Sequence, residues 1–194
     1  MHTYVYMVRH GDSPKEGNER TRGLTKKGLS AVKKVTDILI EEDIDIVISS
    51  PYIRSILTVE GLAKQIGKKV LIFEDLKERK FFGENNRISD KDLFPLLEKS
   101  YCNHNFSLEE GESNRACQKR AIKVLKEMLE LYRGKKIVIG THGAVMTLMM
   151  GYFDHTYNLD FLHCTSKPDI YRMEFSEQKL VNVERLWDEK ISIK

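Results

Sequence analysis

Cysteine is scarce in this chain of 194 residues, and so are net charge and long apolar stretches. The three cysteines, Cys102, Cys117 and Cys164, are odd in number and widely spaced. They form no C-x-x-C pair and no zinc-ligand pattern, which points to reduced thiols in a cytoplasmic protein. A formal charge of +3 is too small to imply a nucleic-acid partner, although it leaves room for a local basic pocket that takes an anionic substrate. No apolar run is long enough to span a bilayer, so no membrane partner is expected. The longest, around Ala144 to Phe153, fits a buried helix. The first residues run straight into a strand-like segment, without the basic stretch and apolar core of a secretory signal. No repeat or low-complexity linker is visible. One domain over residues 1–194 is the simplest organisation, and it is long enough for one substantial core. The oligomeric state is open; a homodimer is compatible with these features.

What the chain does contain is an abrupt boundary at Tyr4-Val5-Tyr6-Met7-Val8-Arg9-His10-Gly11-Asp12. The run Val5 to Val8 is apolar, with β-branched and aromatic members, and reads as a buried strand. It stops at a cation, an imidazole and a glycine. Ligands of open α/β sheets bind just beyond the carboxyl ends of strands. A glycine there lets the backbone approach a ligand, and the following turn offers N–H groups to an anion. The same pattern returns in Lys136-Ile137-Val138-Ile139-Gly140-Thr141-His142-Gly143. One His-Gly reads as a core histidine beside a turn. Two copies, both at strand ends, read as a site where parallel strands bring two imidazoles together.

Between them the chain alternates helix and strand. Asp12 to Gly23 is a polar loop in which Ser13, Asn18, Arg20 and Arg22 could donate hydrogen bonds to a phosphate. Thr25 is expected to cap a helix whose apolar face is Leu29, Val32, Val35, Ile38 and Leu39, with Lys26, Lys27, Lys33 and Lys34 solvated. Ile44 to Ile48 reads as a strand. Ser50 then looks like a helix cap, with Pro51 at the first helical position. Arg54 falls in the first turn of that helix, at the end where the dipole disfavours a cation and a bound anion would offset this. The helix should stop at Gly67. Val70 to Phe73 is a third short strand. The acids that follow, from Glu74 to Glu78, are not distinguished by composition. Ser89 should cap a helix carrying Leu93, Phe94, Leu96 and Leu97. Tyr101 to Glu112 reads as an irregular loop placed to shape specificity. Ser113 precedes a long amphipathic helix closed by Gly134. Met146, Met149 and Met150 are expected in the core. Ile170 to Phe175 and Leu180 to Trp187 read as two closing strands.

Arg9-His10-Gly11, Ser50-Pro51 with Arg54, Glu78 with Gly83, Gly111-Glu112-Ser113 and Thr141-His142-Gly143 occur in that order. Together they resemble the histidine phosphatase superfamily, also called the phosphoglycerate mutase-like family. The resemblance covers most of the chain. It implies an α/β fold, a three-layer α/β/α sandwich with a mainly parallel central sheet. It also implies that His10 is the nucleophile that becomes a phosphohistidine. Arg9, Arg54 and His142, with Gly143 beside it, complete the phosphate pocket, and Glu78 matches the general acid and base. The resemblance further implies that no metal and no organic cofactor is needed.

The chemistry suits these residue types. Phosphoryl transfer relies on positioning and on neutralising the equatorial oxygens, for which guanidinium forks are well shaped. An imidazole attacks only through an unprotonated nitrogen, so its other nitrogen needs an acceptor, such as a backbone carbonyl. Two features depart from the family pattern. Its phosphate-binding asparagine has only Asn18, further along the loop, as a candidate here, with Ser13 a second. Arg-His-Gly-Asp-Ser is also similar to the short branch that acts on protein phosphohistidines, but that branch tends to lack the acid-bearing segment. The expectation is therefore a phosphomonoesterase acting on a small phosphorylated metabolite. The alternatives are mutase-type phosphotransfer, a protein-phosphohistidine phosphatase, and a phospholigand-binding protein without turnover.

Overall fold

The computed structural model describes residues 1–82 and 89–188. Strand β1 (His2–Arg9) sends Val5 and Met7 into one apolar cluster and Tyr6 and Val8 into another. Successive side chains of a strand point to opposite faces, so a continuous apolar run marks a sheet covered on both sides. Strands β2 (Ile46–Ser49), β3 (Val70–Ile72), β4 (Lys136–Thr141), β5 (Asp169–Ser176) and β6 (Lys179–Arg185) complete a sheet in the order β3-β2-β4-β1-β5-β6. The first four in that order run parallel, and β5 and β6 close one side antiparallel.

Helices α1 (Lys26–Ile40) and α2 (Ile53–Gln65) cover one face through Val35, Leu39, Val59 and Leu62. On the chain's second half, α3 (Asp90–Cys102) precedes α4 (Asn114–Leu131), and α5 (Gly143–Gly151) precedes α6 (Leu159–Cys164). Leu125, Met128, Met146 and Met149 of α4 and α5 cover the other face. The result is the three-layer α/β/α sandwich, with a mostly parallel sheet. Register then positions the site. Arg9 pairs with Thr141, and the His10 N–H donates to the Thr141 carbonyl at 3.0 Å, so both His-Gly segments leave the sheet side by side.

Local signals behave as expected at three helix starts: Thr25, Ser89 and Ser113 each accept a backbone N–H from the first turn. Ser50 does not. Helix α2 begins at Ile53 with Tyr52 as its cap residue and no side-chain cap bond, because the Ser50 hydroxyl is engaged by a histidine described below. Strand β2 starts later than expected, at Ile46, and runs to Ser49. Leu29 is 54% exposed rather than part of the apolar face. A Cβ at Gly28 would lie 2.1 Å from the Asp12 carbonyl oxygen, so Gly28 faces the chain after β1 and Leu29, about 100° round the helix, turns outward. Lys34, expected in solvent, lies over the Trp187 ring at 4.6 Å. Tyr101 and Cys102 belong to α3, and α6 carries no apolar periodicity long enough to announce it. Gly83, quoted above with Glu78, and the rest of the Phe81 to Ile88 loop from there on lie outside the described residues.

Candidate active site

His10 follows β1 directly and is almost fully buried. Arg54, from the first turn of α2, donates from Nε to His10 Nε2 at 3.1 Å. A guanidinium N–H is always a donor, so Nε2 is an acceptor and Nδ1 carries the proton. That proton goes to the Gly11 carbonyl oxygen at 2.7 Å. The nitrogen facing Arg54 is therefore unprotonated. Burial first, and the Arg54 charge second, hold the His10 pKa well below the ordinary histidine value.

His142 is fully buried, its ring centroid 5.2 Å from that of His10 and 5.0 Å from that of Tyr52. Its Nε2 lies 2.6 Å from Ser50 Oγ, which also accepts the Tyr52 N–H. When the Ser50 hydroxyl donates to Nε2, the proton of His142 sits on Nδ1. Nδ1 is a buried atom without a partner among the described residues. The site thereby holds a neutral N–H donor. Burial, then the charge of Arg54, keep His142 uncharged as well.

The cations are placed by long-range contacts. Arg54 is 1% exposed; its Nη1 donates to the Glu19 carbonyl at 2.5 Å and its Nη2 to the Glu19 carboxylate at 2.9 Å. Arg22 grips the same carboxylate through Nε and Nη2. Burial, with Arg22 next, pulls the Arg54 pKa down to about 10, which leaves it charged at neutral pH. Arg9 donates from Nη1 to both the carbonyl and the hydroxyl of Thr165, and its buried Nε has no partner among the described residues.

Glu78 follows the 3-10 turn Glu74–Leu76. Its carboxylate accepts the N–H groups of Arg79, Ala144 and Val145 at 2.8, 3.2 and 3.0 Å, and so docks on the N-terminus of α5. A second pair braces this segment. Arg120 donates to the carbonyls of Asp75, Lys77 and Glu78, and to Glu112. Glu112 in turn accepts the Lys80 N–H. A Cβ at Gly111 would lie 2.4 Å from the Phe81 carbonyl oxygen, which explains the glycine of Gly111-Glu112-Ser113.

Arg9, His10, Ser13, Arg54 and Glu78 all line one cavity of about 1190 Å³. His142 stands behind it, next to His10. Asn18 does not line it: its side-chain oxygen accepts the N–H groups of Arg20 and Thr21, closing a turn. Ser13 reaches the rim but donates to the Gly23 carbonyl and accepts from Arg22. Gly143 also lies outside the lining. A Cβ there would be 2.8 Å from Arg9 Nη2, so its smallness makes room for the guanidinium. The loop after Cys102, expected to shape specificity, does not line the cavity either; α3 does, through Leu93, Phe94 and Leu97.

Sequence reasoning passed over three contributors. Ser50 was read as a helix cap and as part of the family pattern, not as the partner of His142. Glu19, which organises Arg54 and Arg22, carried no local signal. Arg79 is buried over the Phe81 ring at 3.7 Å and lines the cavity, with Nε and Nη1 unpartnered among the described residues; its adjacency to Glu78 was the available clue. Among the described residues no three His, Cys, Asp or Glu side chains are grouped as metal ligands, and no helix is long and apolar enough to cross a membrane.

The signature of the histidine phosphatase superfamily (branch 1) matches residues 5–187, and the chain belongs to that superfamily. Three solved structures are similar to it in fold. Bacillus stearothermophilus YhfR is 19% identical, with a TM-score of 0.78, over 92% of this chain and 94% of that one. A mycobacterial glucosyl-3-phosphoglycerate phosphatase is 13% identical, with a TM-score of 0.78, over 95% and 97%. An Entamoeba histolytica phosphoserine phosphatase mutant in complex with phosphoserine is 21% identical, with a TM-score of 0.75, over 92% and 94%. No curated protein sequence matches the chain.

Proposed function

We propose that this protein is a metal-independent phosphomonoesterase that hydrolyses a small phosphorylated metabolite through a phosphohistidine on His10. The observation that carries the reading is the state of His10: Nδ1 is committed to the Gly11 carbonyl, and Nε2, the nitrogen left to attack, faces the Arg54 guanidinium in the cavity that holds Glu78. In the first step Nε2 bonds to phosphorus, the ester P–O bond breaks, and Glu78 as the carboxylic acid gives its proton to the departing alkoxide. Arg54 turns its N–H groups from His10 to the phosphoryl oxygens, joined by Arg9 and His142. In the second step the Glu78 carboxylate takes a proton from water, the hydroxide bonds to phosphorus, and the P–N bond breaks to release phosphate and neutral His10. The free thiols Cys102, Cys117 and Cys164 suit a reducing compartment, and we assign the protein to the cytoplasm.

The test is phosphate release from an aryl phosphate between about pH 5 and pH 8, wild type beside His10→Ala. Release by the first and not by the second is expected. Wild type that releases nothing, or His10→Ala that releases as much, overturns the reading. EDTA should leave the rate unchanged; a loss restored by added metal ends the metal-independent assignment.

A further inference from the structure

Glu78 stands on a stretch with no regular structure of its own. The 3-10 turn ends at Leu76, and residues 77–80 belong to no helix or strand. Their carbonyls and N–H groups have no ladder to join, so other groups must satisfy and fix them. An ion pair that does not line the cavity does this. Arg120 on α4 donates from Nη1 to the Asp75 and Lys77 carbonyls at 2.6 and 2.9 Å, and from Nη2 to the Glu78 carbonyl at 3.2 Å. These partners lie 42 to 45 residues away along the chain. The same guanidinium grips the Glu112 carboxylate through Nε and Nη2 at 2.9 and 2.5 Å. Glu112 holds the other flank: its Oε1 accepts the Lys80 N–H at 3.0 Å, and its own N–H donates to the Lys80 carbonyl at 2.8 Å.

The backbone is thus fixed at Glu78 and two residues beyond it, while the carboxylate is held on α5 by Ala144 and Val145. An acid that protonates a leaving oxygen must lie within hydrogen-bond reach of it. A displacement of about 1 Å, caused from far away, can cost about 10²-fold in rate. A planar fork that reaches several carbonyls at once fixes a backbone better than the compact ammonium of a lysine.

Resting on the reading of Glu78 as acid and base, we propose that Arg120 and Glu112 are positioning residues for proton transfer: they set where the Glu78 carboxyl meets the leaving oxygen. The experiment compares kcat/KM for ethyl phosphate, whose leaving group needs a proton, and for nitrophenyl phosphate, whose leaving group does not. Arg120→Lys should slow ethyl phosphate about 10²-fold and nitrophenyl phosphate far less. Glu112→Gln, which keeps an acceptor for the Lys80 N–H, should show the same selectivity at smaller size. In a Glu78→Gln background Arg120→Lys should add little to the loss on ethyl phosphate. Equal losses on the two esters, no loss on either, or full additivity with Glu78→Gln overturns the inference. Should Arg120→Lys fail to fold, the ratio in Glu112→Gln decides by the same rule. Glu78→Gln without leaving-group selectivity removes the acid and this inference together, and leaves the His10 chemistry standing. Wild type that releases no phosphate from nitrophenyl phosphate removes the phosphatase reading itself.

Discussion

His10-Gly11 and His142-Gly143 are the same dipeptide at the ends of neighbouring parallel strands, and the fold uses them differently. His10 lines the cavity, locked through Nδ1 onto its own glycine's carbonyl, with Nε2 facing a guanidinium. His142 is turned inward, Nε2 on a serine hydroxyl and Nδ1 unpartnered among the described residues. The glycines differ as well. A Cβ at Gly11 would meet the backbone of Gly28 at 3.2 Å, and one at Gly143 would meet Arg9 at 2.8 Å. The first glycine admits the start of α1 against the site, and the second admits a cation. Which ring nitrogen is available, and to what, is thus decided by the neighbour and not by the motif.

Breaking the symmetry of the pair is the strongest test. His10→Ala should lower kcat/KM by about 10⁴-fold or more, as loss of a nucleophile does. His142→Ala should cost about 10² to 10³, the scale of one transition-state donor. Equal losses, or a larger loss at His142, would reverse the assignment of roles. The helix entered through His142-Gly143 also holds Glu78 by its first N–H groups. Glu78→Gln should slow alkyl phosphates about 10² to 10⁴-fold and aryl phosphates with good leaving groups far less. Equal losses on both would remove Glu78 from the leaving-group role. Ser50→Ala removes the orienting partner of His142, together with the acceptor of the Tyr52 N–H, and should cost about tenfold; an unchanged rate would mean that packing against Tyr52 is enough to set that ring.

A smaller effect concerns stability and both histidines together. Their native pKa values lie below the ordinary one of about 6.5 that the unfolded chain has. Below that pH the unfolded state binds more protons than the native state. Stability is therefore full above it and falls as pH drops, by up to about 1.4 kcal/mol per pH unit for each histidine. Tm should decline from pH 7 to about pH 5.5, and less steeply in His142→Asn. A flat Tm in wild type would show that these imidazoles take up protons in the folded state.

Much of this was legible along the chain. Strand β1 and strand β4 announce themselves by apolar runs that stop at Arg9 and Thr141. Thr25, Ser89 and Ser113 start helices because a hydroxyl and an N–H two or three residues on form a closed local unit. Arg9, His10 and Arg54 were named from residue type and position, Glu78 from the family resemblance, and all four line one cavity. Other placements came only from the structure. Ser50 has the local form of a helix cap, yet its hydroxyl bonds a ring 92 residues away. Asn18 closes its own turn with its side-chain oxygen and does not line the cavity. Gly143 suggests a ligand contact and serves Arg9 packing. Arg79 matters through burial and Glu19 through a contact 35 residues away, neither of which a short window reveals.

Periodicity, caps and turn residues act over a few positions, so they specified the layers, the strand ends and the residue types gathered there. The protonation and direction of the site were settled only by tertiary contacts. Arg54 reaches His10 across 44 residues, and Glu19 holds Arg54 across 35. Hydrogen bonds and charges act through space at about 3 Å, and only the folded sheet and its helices bring such distant atoms to that distance.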